Sequence, residues 1–295
     1  MHEKRQHAIH PATRRAAIAL IPFLITAWVI LYIFPERTGD WFAWPIQPAM
    51  TALFMGAGYL SGAYFFARTA STGDWRRVEA GFLPVALFAG LEALTTILHW
   101  PRFTHGHPAF IAWVGLYFIT PWLVIGLWLL NRRGRNSEQP EARLRVPVFV
   151  RWILGVVGVS MAAAGFYLYA NPDVMIAIWP WELTPLTARA LLGFLILPAA
   201  SEISLAFKPD WREYPIILEG QMIALALILL GAARAWADFE PAAAGSAGAL
   251  FVAAMLFFLL ANLAFYLLMQ NAGRQRAGGP QEGGAAQIHS GPPNR

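Results

Sequence analysis

Residues 109–130 read AFIAWVGLYFITPWLVIGLWLL, an apolar run without one charged side chain. As a helix such a run is about 33 Å long, enough to cross roughly 30 Å of hydrocarbon. The character changes at once in NRRGRNSEQPEARLR (residues 131–145), and a second apolar run opens at Pro147. The same alternation recurs along the whole chain. Of its 295 residues 57% are hydrophobic and 13% charged, too little charge to coat a soluble domain of this size.

The pattern predicts an all-α integral membrane protein with eight transmembrane helices: Ala16–Phe34, Ile46–Ala67, Gly81–His99, Ala109–Leu130, Pro147–Tyr169, Leu183–Phe207, Tyr214–Ala237 and Ala243–Met269. Tryptophans 41, 44, 100, 179, 181, 211 and 236 fall near the proposed ends, where indole rings prefer the membrane–water interface. Ala16–Phe34 is too long for a signal-peptide core and reads as an uncleaved first span. No lipidation motif stands at either end.

The 22 Lys and Arg residues sort by side. Lys4, Arg5, Arg14, Arg15, Arg68, Arg76, Arg77, Arg132, Arg133, Arg135, Arg143, Arg145, Arg151, Lys208, Arg212, Arg274, Arg276 and Arg295 share one side. Arg37, Arg102, Arg189 and Arg234 remain, the last two inside spans. By the positive-inside rule both termini are cytoplasmic, in a bacterial cytoplasmic (inner) membrane. A missed or invented helix would scramble this division. The charge of +5 therefore reflects topology and not a nucleic-acid partner; the lipid bilayer is the expected partner.

The halves match at a fixed offset. Thr51-Ala52 matches Thr187-Ala188, Asp74-Trp75-Arg76 matches Asp210-Trp211-Arg212, and Trp100 matches Trp236, 136 residues on. Upstream the offset is 137, pairing Arg14 with Arg151, Pro35 with Pro172, Trp44 with Trp181 and Pro48 with Pro185. The expected organisation is a tail (1–15), a first four-helix repeat (16–135), a linker (136–146), a second repeat (147–271) and a disordered tail (272–295). Four spans return the chain to its starting side, so the repeats are parallel, with a seam between them. Interface preferences alone could also place Trp, Asp and Arg alike in unrelated loops.

A charged side chain inside a span faces the bundle interior by default and seeks a partner. Glu92 and Arg189 each lie eight residues from an interfacial tryptophan, about 12 Å deep, and a pair between them is one expectation. Arg234 is nearer the surface and can snorkel. Glu202, Glu219 and Gln221 flank the loop that carries Asp210-Trp211-Arg212, as loop anchors or as a polar site. None of the three acidic positions is duplicated, since Glu92 maps to Ile228, Glu202 to Phe66 and Glu219 to Leu83. Gly58-x-x-x-Gly62 offers a face for close helix packing, and Pro84, Pro121 and Pro198 interrupt spans.

His99, His105 and His107 fall within nine residues of an outer loop and are weak metal candidates. No cysteine exists, which excludes disulfides, thiolate nucleophiles and cysteine-bound metals. No nucleotide loop, zinc-protease or hydrolase motif occurs, and no cofactor is implied. The leading expectation is a small-molecule or ion transporter with a polar site between the halves. The alternatives are an accessory subunit packed against other membrane subunits, and a membrane enzyme or metal-dependent sensor using the histidine loop.

Overall fold

The computed structural model describes residues 8–132, 144–239 and 247–278. Among them are eight helices long and apolar enough to cross a membrane. They are α1 (Pro11–Ile33), α2 (Ala49–Ser71), α3 (Arg76–Leu98), α4 (Pro108–Arg132), α5 (Val148–Ala170), α6 (Pro185–Ala206), α7 (Pro215–Arg234) and α8 (Ala249–Gly278). With no strand among the described residues, the chain is an all-α multi-pass membrane protein.

Local chemistry fixes several boundaries. Proline occupies the first position of α1, α6 and α7, where its missing N–H costs nothing. Thr184 and Thr187 cap the start of α6 reciprocally. Both α1 and α5 end in a residue near φ −122°, Phe34 and Asn171, each followed by a proline that opens a short helical segment. Pro22, Pro84, Pro121 and Pro198 sit inside continuous helices. At the chain's end α8 runs on to Gly278, so residues 272–278, expected to be disordered, are helical. Their helix simply continues past the apolar segment with Arg274 and Arg276. Residues 1–7, 133–143, 240–246 and 279–295 lie outside the described residues, with Lys4, Arg5, Arg133, Arg135, Arg143, Arg295, most of the expected linker and the expected start of the last span at Ala243.

The helices form two rows by their principal contacts, α1–α2–α7–α8 and α4–α3–α6–α5. Each row joins one helix pair from the first half to one from the second. Adjacent spans α2 and α3 scarcely touch; their main inner partners are α7 and α6. The four inner helices carry the core, since 67% of the apolar window of α2 is buried against 6% for α8. Outer helices with that little burial must face lipid. We refer to the two faces of the bundle as the His99 end and the Lys208 end.

Contacts recur between the halves at offsets of 136 to 138. At the His99 end Phe42, Trp44, Phe103 and Trp113 form a ring cluster, and Trp179, Trp181, Phe239 and Phe251 form another. All five ring pairs of the first have their equivalent in the second: Trp44–Trp113 at 4.8 Å corresponds to Trp181–Phe251 at 5.2 Å, for example. At the Lys208 end Ala8 bridges Asp74 as Arg145 bridges Asp210. The two aspartates accept from the backbone N–H groups of Arg76 and Arg212 at 3.1 and 3.0 Å. In the half nearer the His99 end, Tyr32 donates to the carbonyl of Leu227 at 2.8 Å and Tyr169 to that of Leu91 at 2.9 Å.

Candidate functional site

Along α3 the residues Glu92, Thr95, Thr96 and His99 follow the spacing i, i+3, i+4, i+7, which places them on one helix face. That face meets α6 in the middle of its row. Glu92, Thr95 and Thr96 are each 0% exposed. Opposite the carboxyl stands Gly193 of α6: a Cβ there would lie 2.3 Å from Glu92 Oε1. Only a glycine leaves room for the carboxyl at this crossing. Phe88 lies beside it, 4.7 Å from the ring of Phe194.

Both carboxyl oxygens of Glu92 are buried and accept no hydrogen bond. Burying an ionised carboxylate without donors costs several kcal/mol even after relaxation. The hydroxyls around it are engaged elsewhere. Tyr59 of α2 and Tyr117 of α4 share a hydrogen bond of 2.6 Å. Thr95 and Tyr169 share one of 2.7 Å, and the same Tyr169 hydroxyl donates to Leu91. Thr96 accepts from the indole N–H of Trp113 at 2.8 Å and donates to the carbonyl of Glu92.

The expected pair between Glu92 and Arg189 does not form. Residues 182–184 precede the helix, so Arg189 stands only four residues into α6, about 6 Å and not 12 Å deep. Its side chain turns to the His99 end, where Nη1 meets His99 Nε2 at 2.8 Å and Nε donates to the carbonyl of Tyr169 at 3.1 Å. Burial, then the charges of Arg189 and Arg102, hold the His99 imidazole below its ordinary pKa. A neutral ring accepting from the guanidinium fits that shift. Arg234, the last residue of α7, snorkels outward to the carbonyls of Tyr32 at 2.7 Å and Ile33 at 3.2 Å. It satisfies the carbonyls that the end of α1 leaves open.

The three histidines do not converge. His105 packs on Trp100 and Phe110, while His107 Nδ1 accepts from the N–H of Ala109 at the start of α4. Among the described residues no group of three or more His, Asp or Glu side chains is disposed to hold a metal ion. Gly58, read as a packing glycine, abuts the ring of Phe194: a Cβ there would come within 2.3 Å of it.

Toward the Lys208 end, Glu202, Glu219 and Gln221 divide between two networks. Gln221 donates to Glu202 at 3.0 Å and accepts from Asn262 at 3.3 Å, leaving Glu202 Oε2 buried without a partner. Glu219 takes the hydroxyls of Tyr64 and Tyr266, with Arg68 Nη1 at 3.5 Å. It thereby ties α2, α7 and α8 together. A third cluster escaped the sequence reading: Lys208 Nζ sits 2.9 Å from Glu79 of α3 and 3.0 Å from Glu213. Burial pushes the Glu213 carboxyl above its ordinary pKa, against the pull of Lys208. Sequence could not show this cluster because Lys208 lies in a connection, far in sequence from Glu79.

No protein-family model matches this chain, nor does any curated protein or solved structure.

Proposed function

We propose that the chain is a permease-like transporter of an ion or small solute, with Glu92 as its ion-handling group. The observation that carries this reading is the Glu92 carboxyl itself, fully buried in the α3/α6 seam with both oxygens unpartnered. Packing does not require it. In the other seam, between α2 and α7, the matching position is Ile228, also buried. A carboxyl kept at such a cost is explained by a ligand that it releases and rebinds. Because Arg189 turns to His99, the polar site between the halves centres on Glu92 and its hydroxyl neighbours.

The recurrent ring clusters, bridges and tyrosine bonds support an origin of the two halves by duplication, with an axis along the membrane normal. The orientation in this proposal keeps the Lys208 end cytoplasmic. Twelve described basic residues stand at that end, Arg14 through Arg276, while Arg37, Arg102, Arg189 and Arg234 all turn to the other, as the positive-inside rule expects of a bacterial cytoplasmic membrane.

The test is a thermal-shift screen of the purified protein in mild detergent against ions and small metabolites. A ligand that binds the folded state raises the melting temperature by mass action. The expected result is a rise that Glu92→Gln abolishes and His105→Gln retains; a rise indifferent to Glu92 refutes the reading.

A second reading, an accessory subunit, draws on one observation. The inner helix α3 reaches the lipid-facing surface in an open apolar groove of about 470 Å³, lined by Leu83, Leu87, Gly90, Leu94 and Ile125 among others. A helix of another membrane subunit would fit it; co-purification of a stoichiometric partner from the native membrane would favour this reading.

A further inference from the structure

We infer that the ligand of Glu92 is a proton, exchanged with water at the His99 end through the hydroxyls of Thr95 and Tyr169. The inference rests on the transporter reading for its purpose but not for its evidence.

A metal cation bound there would need about six oxygens around it. Glu92 supplies two, Gly193 closes over one of them, and no second carboxylate faces the site. The titratable groups that do face it are Tyr59 from α2, Tyr117 from α4 and Tyr169 from α5, all within its electrostatic reach. At the level of Gly193, α6 presents no ionisable group, its nearest being Arg189 one turn away. From Met222 to Ala233, α7 presents none. Tyrosine and threonine hydroxyls both donate and accept, so they suit a proton and make a poor cage for a metal.

The direction follows from what lines the seam on either side. Toward the His99 end, Thr95 Oγ1 and Tyr169 OH form a hydroxyl pair one turn beyond Glu92. Arg189 and His99 lie beyond them, part-buried. Toward the Lys208 end, α3 from Ala80 to Leu91 and α6 from Phe194 to Ala200 carry no polar side chain. The ionic contact of Glu79 with Lys208, in the connection just after α6, lies beyond them. The stretches of α3 and α6 that line the seam are thus polar on the His99 side of Glu92 and apolar on the other, with the Tyr59–Tyr117 pair supplying the nearest hydroxyls from α2 and α4. On proton uptake an O–H bond forms on the Glu92 carboxyl, and the donor is a hydronium ion that becomes water. Release reverses the step.

The other seam supplies the contrast. Positions matching Glu92, Thr95, Thr96, Tyr59 and Tyr117 are Ile228, Gly231, Ala232, Leu195 and Met255, none able to pass a proton.

Infrared difference spectroscopy of the full chain in lipid, stepped through pH, tests the assignment. The expected signal is a protonated-carboxyl C=O band that titrates and shifts in D2O. It should vanish in Glu92→Gln and in Glu92→Ile, whose side chain the other seam already packs, and persist in Glu202→Gln. Thr95→Val and Tyr169→Phe should slow its deuterium exchange several-fold. A titrating band that survives both Glu92 substitutions, or no such band at all, overturns the inference. So does a carboxylate signal that depends on Glu92 and responds to added Na+, K+ or Ca2+ and not to pH. Exchange unchanged in both hydroxyl variants overturns the route. If the band behaves as expected while no thermal-shift response depends on Glu92, the proton site stands and the transporter reading falls. The converse pair of results spares the transporter and removes the proton.

Discussion

The α3/α6 seam and the α2/α7 seam occupy equivalent places in their rows, yet their chemistry is opposite. One holds a carboxyl, two threonines and a glycine; the other holds Ile228, Gly231, Ala232 and Ala57 at the matching positions. Tyrosines 32 and 169 are kept in both, each donating to the carbonyl across the row. What the halves share is therefore the means of holding helices together, and what differs is the polarity at mid-depth. The apolar seam serves as an internal control: it indicates that the crossing at the level of Ile228 closes without an ionisable group.

The comparison breaks most forcibly if a carboxyl is moved to the wrong seam. Ile228→Glu should lower stability by about 3 kcal/mol, the order of the cost of an unpartnered acid at mid-membrane. The denaturation midpoint in mild detergent measures it, and an unchanged midpoint would mean the seams tolerate acids alike. The reverse move, Glu92→Ile, should raise stability by about 1–4 kcal/mol, as apolar replacement of buried charge often does, while abolishing any ligand-dependent shift. Gly193→Ala should cost about 1–3 kcal/mol through overpacking against Glu92 Oε1. That cost should disappear in a Glu92→Ala background, and a double-mutant cycle reports the coupling.

The smallest effect concerns pH. Because the folded His99 has a lowered pKa, the unfolded chain binds its proton first as pH falls. The contribution of the neutral ring is complete above about pH 6.5. It declines as pH drops from there to the folded pKa, and is constant below that. His99→Gln should flatten this part of the stability–pH curve; a curve with the same slope in the variant would assign the titration to another group.

How much of this was legible in the sequence depends on the range of the signal. The eight spans were readable because each is decided within some twenty residues by hydropathy alone. The depth of Arg189 is not legible by counting from Trp181, because that count takes residues 182–184 as helix, where Thr184 instead caps it. The face of Glu92, Thr95, Thr96 and His99 is legible in the spacing i, i+3, i+4, i+7. Gly193, Tyr59 and Tyr117 were invisible as site residues, since they reach Glu92 from three other helices. The same holds for Lys208 and Glu79, which meet only because the second half packs on the first.

The row arrangement also constrains how the protein is made. Helices leave the ribosome in order, yet α2 and α3 have their main inner partners in α7 and α6, which emerge much later. During that interval the seam face of α3, with Glu92 upon it, lacks its α6 partner, and the space must be filled by lipid, by water or by the insertion machinery. A first half expressed alone would present two unfilled seams to the bilayer. It should accumulate only when the second half is supplied in the same cell.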